Sequence, residues 1–144
     1  IEGIIVYNRY NVLGTIDKNT DCGIFGTLER TDNLFRNTEP VGIMATDEIK
    51  KGDAVIRCCV EGKVKEYKIR ITKTDKHTKE ENKGLEIKVT DPELLEITGG
   101  IIQGMSGAPI LQNGKIIGAV THVFVNDPRR GYGIFISNML RMSE

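Results

Sequence analysis

Apolar residues recur along the chain in short runs or alternate with polar ones, and glycine, asparagine, aspartate or lysine separates one run from the next. This patterning predicts strands rather than helices. The candidate strands are Glu2 to Tyr7, Val12 to Asp17, Gly23 to Leu28, Val41 to Ala45 and Ala54 to Cys59. They continue with Val64 to Thr72, Leu85 to Val89, Ala108 to Gln112, Lys115 to Val123 and Gly133 to Ile136. Asn113-Gly114 lies between two apolar runs and reads as a type I′ hairpin, whose central residues both need positive φ. Glu61-Gly62 does the same work between Val60 and Val64. Helix is scarce. Asp91 to Glu96 predicts one helical turn, with Pro92 near its start and acids at its positive end. Ser137 to Met142 predicts a terminal turn with Arg141 near its negative end. Thr74 to Lys83 is polar throughout and reads as an exposed, mobile loop that needs no functional role. Asn126 to Gly133 reads as a turn presenting Arg129 and Arg130, a pair able to meet an acidic segment. Ten short strands in 144 residues imply an all-β barrel or sandwich.

The length suits one ordinary domain or two small lobes. Lys plus Arg and Asp plus Glu both number 20, so the formal net charge is zero. No global charge draws the chain to nucleic acid or an anionic membrane. Its longest apolar runs, such as Ile116 to Val120, are far shorter than the roughly 20 residues a membrane helix needs. No signal peptide is visible at the start, and a chain beginning at Ile1 is expected to be a processed product or part of a longer protein. Cys22, Cys58 and Cys59 make an odd count without CxxC spacing. They are expected to serve as small buried hydrophobes, with Cys58 and Cys59 on opposite faces of a strand. With only His77 and His122 beside them, no zinc site is expected, and no cofactor is implied.

The chemistry concentrates in Gly99 to Ile117, GGIIQGMSGAPILQNGKII. Ser106 stands between glycines, with Pro109 and a hairpin close behind. A nucleophilic serine needs backbone N–H groups converging where charge builds on the attacked carbonyl oxygen. Flanking glycines let the chain turn tightly enough to bring the Gly104 and Ser106 amides to one point. The other reading is a tight loop whose serine bonds its own backbone. The GxSxG elbow of other serine hydrolases does not fit, because Ala108 stands two residues after Ser106 and a hairpin follows. GxSGxP, strand, Asn-Gly turn, strand resembles the nucleophile segment of chymotrypsin-like serine peptidases.

The flanking residues narrow the resemblance. IKVTDPELLE (Ile87 to Glu96) running on through TGGIIQGMSGAPILQNGKIIGAVTHVFVNDPRRGYG closely resembles the stage IV sporulation protein B peptidases of endospore-forming bacteria. NTDCGIFGTL (Asn19 to Leu28) is also like that family, and Glu48 to Ala54 and Val64 to Ile71 more loosely so. The resemblance implies an all-β, chymotrypsin-like barrel over residues 1–144, incomplete at its N-terminus. It implies a serine endopeptidase that cuts itself and a membrane-bound regulator of a signalling pathway. It also implies secretion across the forespore membrane into the intermembrane space, and a PDZ domain ahead of the peptidase.

By the same resemblance the catalytic serine falls on Ser106 in GMSG and the aspartate on Asp91 in TDP. The family's histidine belongs to an upstream Gly-Leu-Gly-His-like segment that this sequence lacks, so the chain alone is expected to be inactive. Asp91 has a second reading as the cap of the turn that begins at Pro92. His122 either lines a substrate pocket or is a packed strand histidine. His77 is expected in the exposed loop. Ile1-Glu2-Gly3 is like the new terminus of activated trypsin-type zymogens, yet Met105 before the serine carries no charge to pair with it. The competing function is a non-catalytic β-barrel interaction module that kept the fold without the chemistry.

Overall fold

The computed structural model of the chain describes residues 12–29 and 39–144. They divide between two units, Ile1–Glu39 and Pro40–Glu144. In the first, β1 (Gly14–Thr20) and β2 (Gly23–Leu28) form an antiparallel hairpin. Its ladder slips between Ile16 and Lys18. Asp17, at the slip, accepts hydrogen bonds from the Thr15 and Thr27 hydroxyls at 3.4 and 3.1 Å. The expected strand at Glu2 to Tyr7 and the Ile1-Glu2-Gly3 segment lie outside the described residues.

The second unit is a closed six-stranded barrel. Its strands are β3 (Gly52–Cys59), β4 (Val64–Thr74), β5 (Leu85–Val89), β6 (Pro109–Gln112), β7 (Lys115–Phe124) and β8 (Asp127–Phe135). They close in the order β3-β4-β5-β8-β7-β6, with antiparallel neighbours throughout. Alternation explains the filling. Ala54 and Ile56, then Tyr67, Ile69 and Ile71, then Leu85, Ile87 and Val89 point inward while the residues between them are more exposed. Asn113 (φ 51°) and Gly114 (φ 74°) both take positive φ between β6 and β7, as the type I′ reading requires.

Two helices flank the barrel strands. α1 (Pro92–Thr98) starts at Asp91 with Pro92 in its first turn and ends at Gly99, which takes the left-handed conformation. α2 (Ile136–Ser143) carries Arg141 in its last turn.

Several expectations need correction. Val41 to Ala45 is not a strand; it makes one parallel bridge, Ile43 to Ile116. Gln112, the one buried polar side chain among the described residues, accepts from Lys50 N (3.1 Å) and donates to Lys50 O (2.9 Å) and Asp53 O (3.2 Å). It thereby ties Lys50, just before β3, to β6, while residues 42–44 are held by Met44 N donating to Ile116 O and Ile116 N to Gly42 O. Most of Asn126 to Gly133 is strand β8 rather than a turn. Pro128 and the glycines imitate a turn, but tertiary pairing decides, and a Cβ on Gly131 would lie 2.6 Å from the His122 carbonyl oxygen. Cys58 and Cys59 diverge as expected, but only Cys58 packs against the core, and Cys59 is exposed. Burial and the neighbouring Cys59 push the Cys58 thiol above its usual pKa, so it stays protonated near neutrality.

Candidate active site

Ser106 sits in the loop between α1 and β6. The loop is anchored where Ile101 N donates to Pro128 O at 2.7 Å and where the Met105 side chain is buried in the core. Two tight turns follow one another, closed by Met105 N to Ile102 O (3.2 Å) and Ala108 N to Met105 O (3.0 Å). Gly107 N then joins β7 by donating to Val120 O at 2.8 Å. Gly104 (φ 101°) and Gly107 (φ 87°) occupy backbone conformations that an L side chain strains to reach. The bonds just named use the amides of Met105, Gly107 and Ala108, and among the described residues the Gly104 and Ser106 amides donate to no group of the chain. Two unspent amides, the serine's own and that of Gly104 two residues before it, beside an exposed hydroxyl are the kind of donor pair a developing oxyanion needs.

The Ser106 hydroxyl donates to the Thr121 carbonyl oxygen at 3.0 Å. Thr121 is itself tethered, its hydroxyl donating to Asn82 O at 2.5 Å. Asn82 lies in a 3-10 turn, Glu81–Lys83, at the end of the polar segment read as a mobile loop. That end is held firmly. Arg141 of α2 bridges to Glu81, and Lys83 stands 5.6 Å from the Tyr132 ring centre. The segment therefore reaches the serine through Thr121, a connection no periodicity in the sequence signals.

A cavity of about 390 Å³ opens beside Ser106, lined by Ile101, Ile102, Gln103, His122 and Val123 among others. His122 and Ser106 thus share one cavity, although the serine proton goes to a carbonyl and not to the imidazole. His77 lies exposed in the polar segment.

Asp91 is not among the residues lining that cavity. Its Oδ1 accepts from Glu93 N (3.0 Å) and Leu94 N (3.2 Å), and its Oδ2 accepts from Lys68 N (2.9 Å). Burial alone would raise its pKa, but the bonds from Lys68, Leu94 and Glu93 outweigh it and hold the carboxyl below its usual range. A carboxylate has about four acceptor positions, so roughly one is left over. Among the described residues no three His, Cys, Asp or Glu side chains converge as metal ligands, and no helix is long and apolar enough to cross a membrane.

Comparison with known proteins gives this geometry its context. The model of the SpoIVB peptidase S55 family matches residues 1–140. The chain belongs to the SpoIVB peptidase S55 family. No curated protein matches it. Among solved structures, the active form of the Rv3671c protease from M. tuberculosis matches with a TM-score of 0.61 and 15% identity, over 89% of this chain and 55% of that one. Its inactive form matches with a TM-score of 0.56 and 14% identity, over 89% and 64%. The S55 chain therefore spans between 55% and 64% of the length of these neighbours, which share its protease fold. Family and fold together support a serine peptidase.

Proposed function

We propose that this S55 family chain carries the nucleophile half of a serine endopeptidase that works by an acyl-enzyme mechanism. Ser106 attacks the scissile carbonyl, and the Gly104 and Ser106 amides stabilise the oxyanion, at about 3–4 kcal/mol for each donor lost. The observation that carries the reading is the pair of unspent amides around an exposed serine in a loop locked by its neighbours' hydrogen bonds. At rest the Ser106 hydroxyl keeps its proton and donates it in a hydrogen bond to the Thr121 carbonyl, so a base must take that proton as the serine attacks. Neither His77 nor His122 accepts it among the described residues, and the general base comes from a histidine in a segment upstream of this chain. Asp91 orients that histidine through the acceptor position left after its three backbone bonds, while still capping α1. The 144-residue chain alone is then inactive.

The family's name supports a place in sporulation. In this reading the parent protein carries a PDZ domain, is secreted across the forespore membrane, and cleaves itself and a membrane-bound regulator. The test is a peptide-cleavage assay on an upstream-extended form beside its Ser106→Ala variant. Cleavage lost with the serine supports the reading. Cleavage that survives Ser106→Ala removes it, and a folded extended form that cleaves nothing moves the reading to a non-catalytic interaction module.

A further inference from the structure

No side chain of α2 is fully buried, so polar bonds at its two ends help to hold the helix in place. At its start the Ser137 and Thr46 hydroxyls lie 2.8 Å apart. In its last turn Arg141 donates to Glu81 Oε1 of the 81–83 turn. That turn is gripped from other sides as well. Lys83 N donates to Glu80 O at 2.8 Å and closes it. Gly84, next in the chain, lies against the Phe135 ring, where a Cβ would come 2.6 Å from a ring carbon. Asp75 N donates to the Gly84 carbonyl oxygen at 2.8 Å.

Glu81 is where this arrangement depends on a single partner. Its side chain is only 30% exposed, and its Oε2 is buried without a hydrogen-bond partner among the described residues. Among those residues Arg141 alone forms an ion pair with it. An ion pair contributes little where both charges can return to water. Arg141, at 62% exposure, can do so. The half-buried carboxylate cannot rehydrate unless the turn moves, and a buried charge left unpaired is costly.

From this turn the path to the nucleophile is short. Asn82 O accepts from the Thr121 hydroxyl, and the Thr121 carbonyl oxygen accepts from the Ser106 hydroxyl. Loss of the Arg141 contact therefore shifts the acceptor that fixes the serine rotamer. Misplacing a reacting group by about 1 Å costs up to about 100-fold, so a small shift suffices for a severalfold loss.

We infer that Arg141 and Glu81 are positioning residues for Ser106, acting through the 81–83 turn and Thr121. Neither lines the cavity beside the serine. The inference deepens the peptidase reading and rests on Ser106 as its nucleophile.

The test combines fluorophosphonate labelling rates of the upstream-extended form with amide shifts of the 144-residue chain. Arg141→Ala keeps helix propensity at an exposed position, so folding is not threatened. It should lower the saturating labelling rate at least about threefold while reagent affinity stays within about twofold. Glu81→Gln, which leaves α2 untouched, should act in the same direction. Arg141→Lys should recover most of the loss, because the contact is a single bond that an ammonium can also make. In a Thr121→Val background Arg141→Ala should cost nothing further, since the path is already cut. An equal loss in both backgrounds, unchanged rates in the single variants, no recovery with lysine, or a loss seen only in reagent affinity would overturn the inference. On the 144-residue chain Arg141→Ala should move the amide signals of Thr121 and Ser106, and changes confined to α2 and residues 80–84 would overturn it too. If the extended form takes no label on Ser106, the peptidase reading falls and those shifts alone decide whether the pair holds the serine loop. Labelling of the wild type with no loss in the variants removes only the positioning role.

Discussion

Asp91 joins three backbone amides, so replacing it tests how the start of α1 is held against β4. Asp91→Ala removes the cap on Glu93 N and Leu94 N and the bond from Lys68 N. Loss of an N-cap costs about 1 kcal/mol. The freed Lys68 amide is solvent-accessible and can be rehydrated, so its loss adds only about 1 kcal/mol, at the lower end of the usual range. The barrel unit runs from Pro40 to Glu144. For a domain of that size about 2 kcal/mol lowers Tm by roughly 6–10 °C. The effect depends on pH with a definite sign. The folded pKa lies below the ordinary 3.8, so the native state binds that proton less readily than the unfolded chain. Asp91 therefore stabilises the barrel fully above about pH 4, and the contribution fades as pH falls through the folded pKa. Thermal unfolding followed by circular dichroism at pH 7 and pH 3 reads both effects. The gap between wild type and Asp91→Ala should narrow in acid. A gap below about 2 °C at pH 7, or one that widens as pH falls, would refute the reasoning. Asp91→Asn keeps an acceptor for the cap but turns an NH₂ group toward Lys68 N, so about half of the destabilisation should return.

Gly104→Ala forces a side chain onto φ 101°, which should lower stability by roughly 1–2 kcal/mol and cut Ser106 reactivity in the extended protein by at least tenfold; an unchanged reaction rate would count against the oxyanion role. Thr121→Val removes the hydroxyl bonded to Asn82 O, so Ser106 reactivity should fall severalfold while Thr121→Ser restores it, and equal rates in both variants would show that the tether does not position the serine. Tyr67 is fully buried, and its hydroxyl has no partner among the described residues. Tyr67→Phe should therefore leave Tm unchanged or raise it by a few degrees, whereas a fall of more than about 4 °C, near 1 kcal/mol, would mean that the hydroxyl is bonded after all.

The sequence was most legible where local chemistry and tertiary context agree. Leu85 to Val89 alternates cleanly and forms β5 with those bounds, and Asn113-Gly114 makes its turn because both residues tolerate positive φ. Asp91-Pro92 announces its helix by capping and by the proline at its first turn. The misreadings share a cause. Val41 to Ala45 has the residues of a strand but finds only one bridging partner, whereas the β8 residues look like a turn yet are paired on both sides by β5 and β7. Partners distant in sequence decide such segments, and one sequence does not name them. At the site, the tight turns around Ser106 were legible because Gly104 and Gly107 take positive φ values that favour glycine. The Thr121–Asn82 tether was not, because it joins positions 39 residues apart through a main-chain oxygen that carries no residue signature.

The most direct test of the central claim is fluorophosphonate labelling read by intact mass and peptide mapping, on this chain and on a form extended upstream to include the proposed histidine segment. The account predicts one adduct, on Ser106, in the extended form only, and none in its Ser106→Ala variant. An extended form shown to be folded that takes no label, or takes it on another residue, would contradict the assignment of Ser106 as the nucleophile.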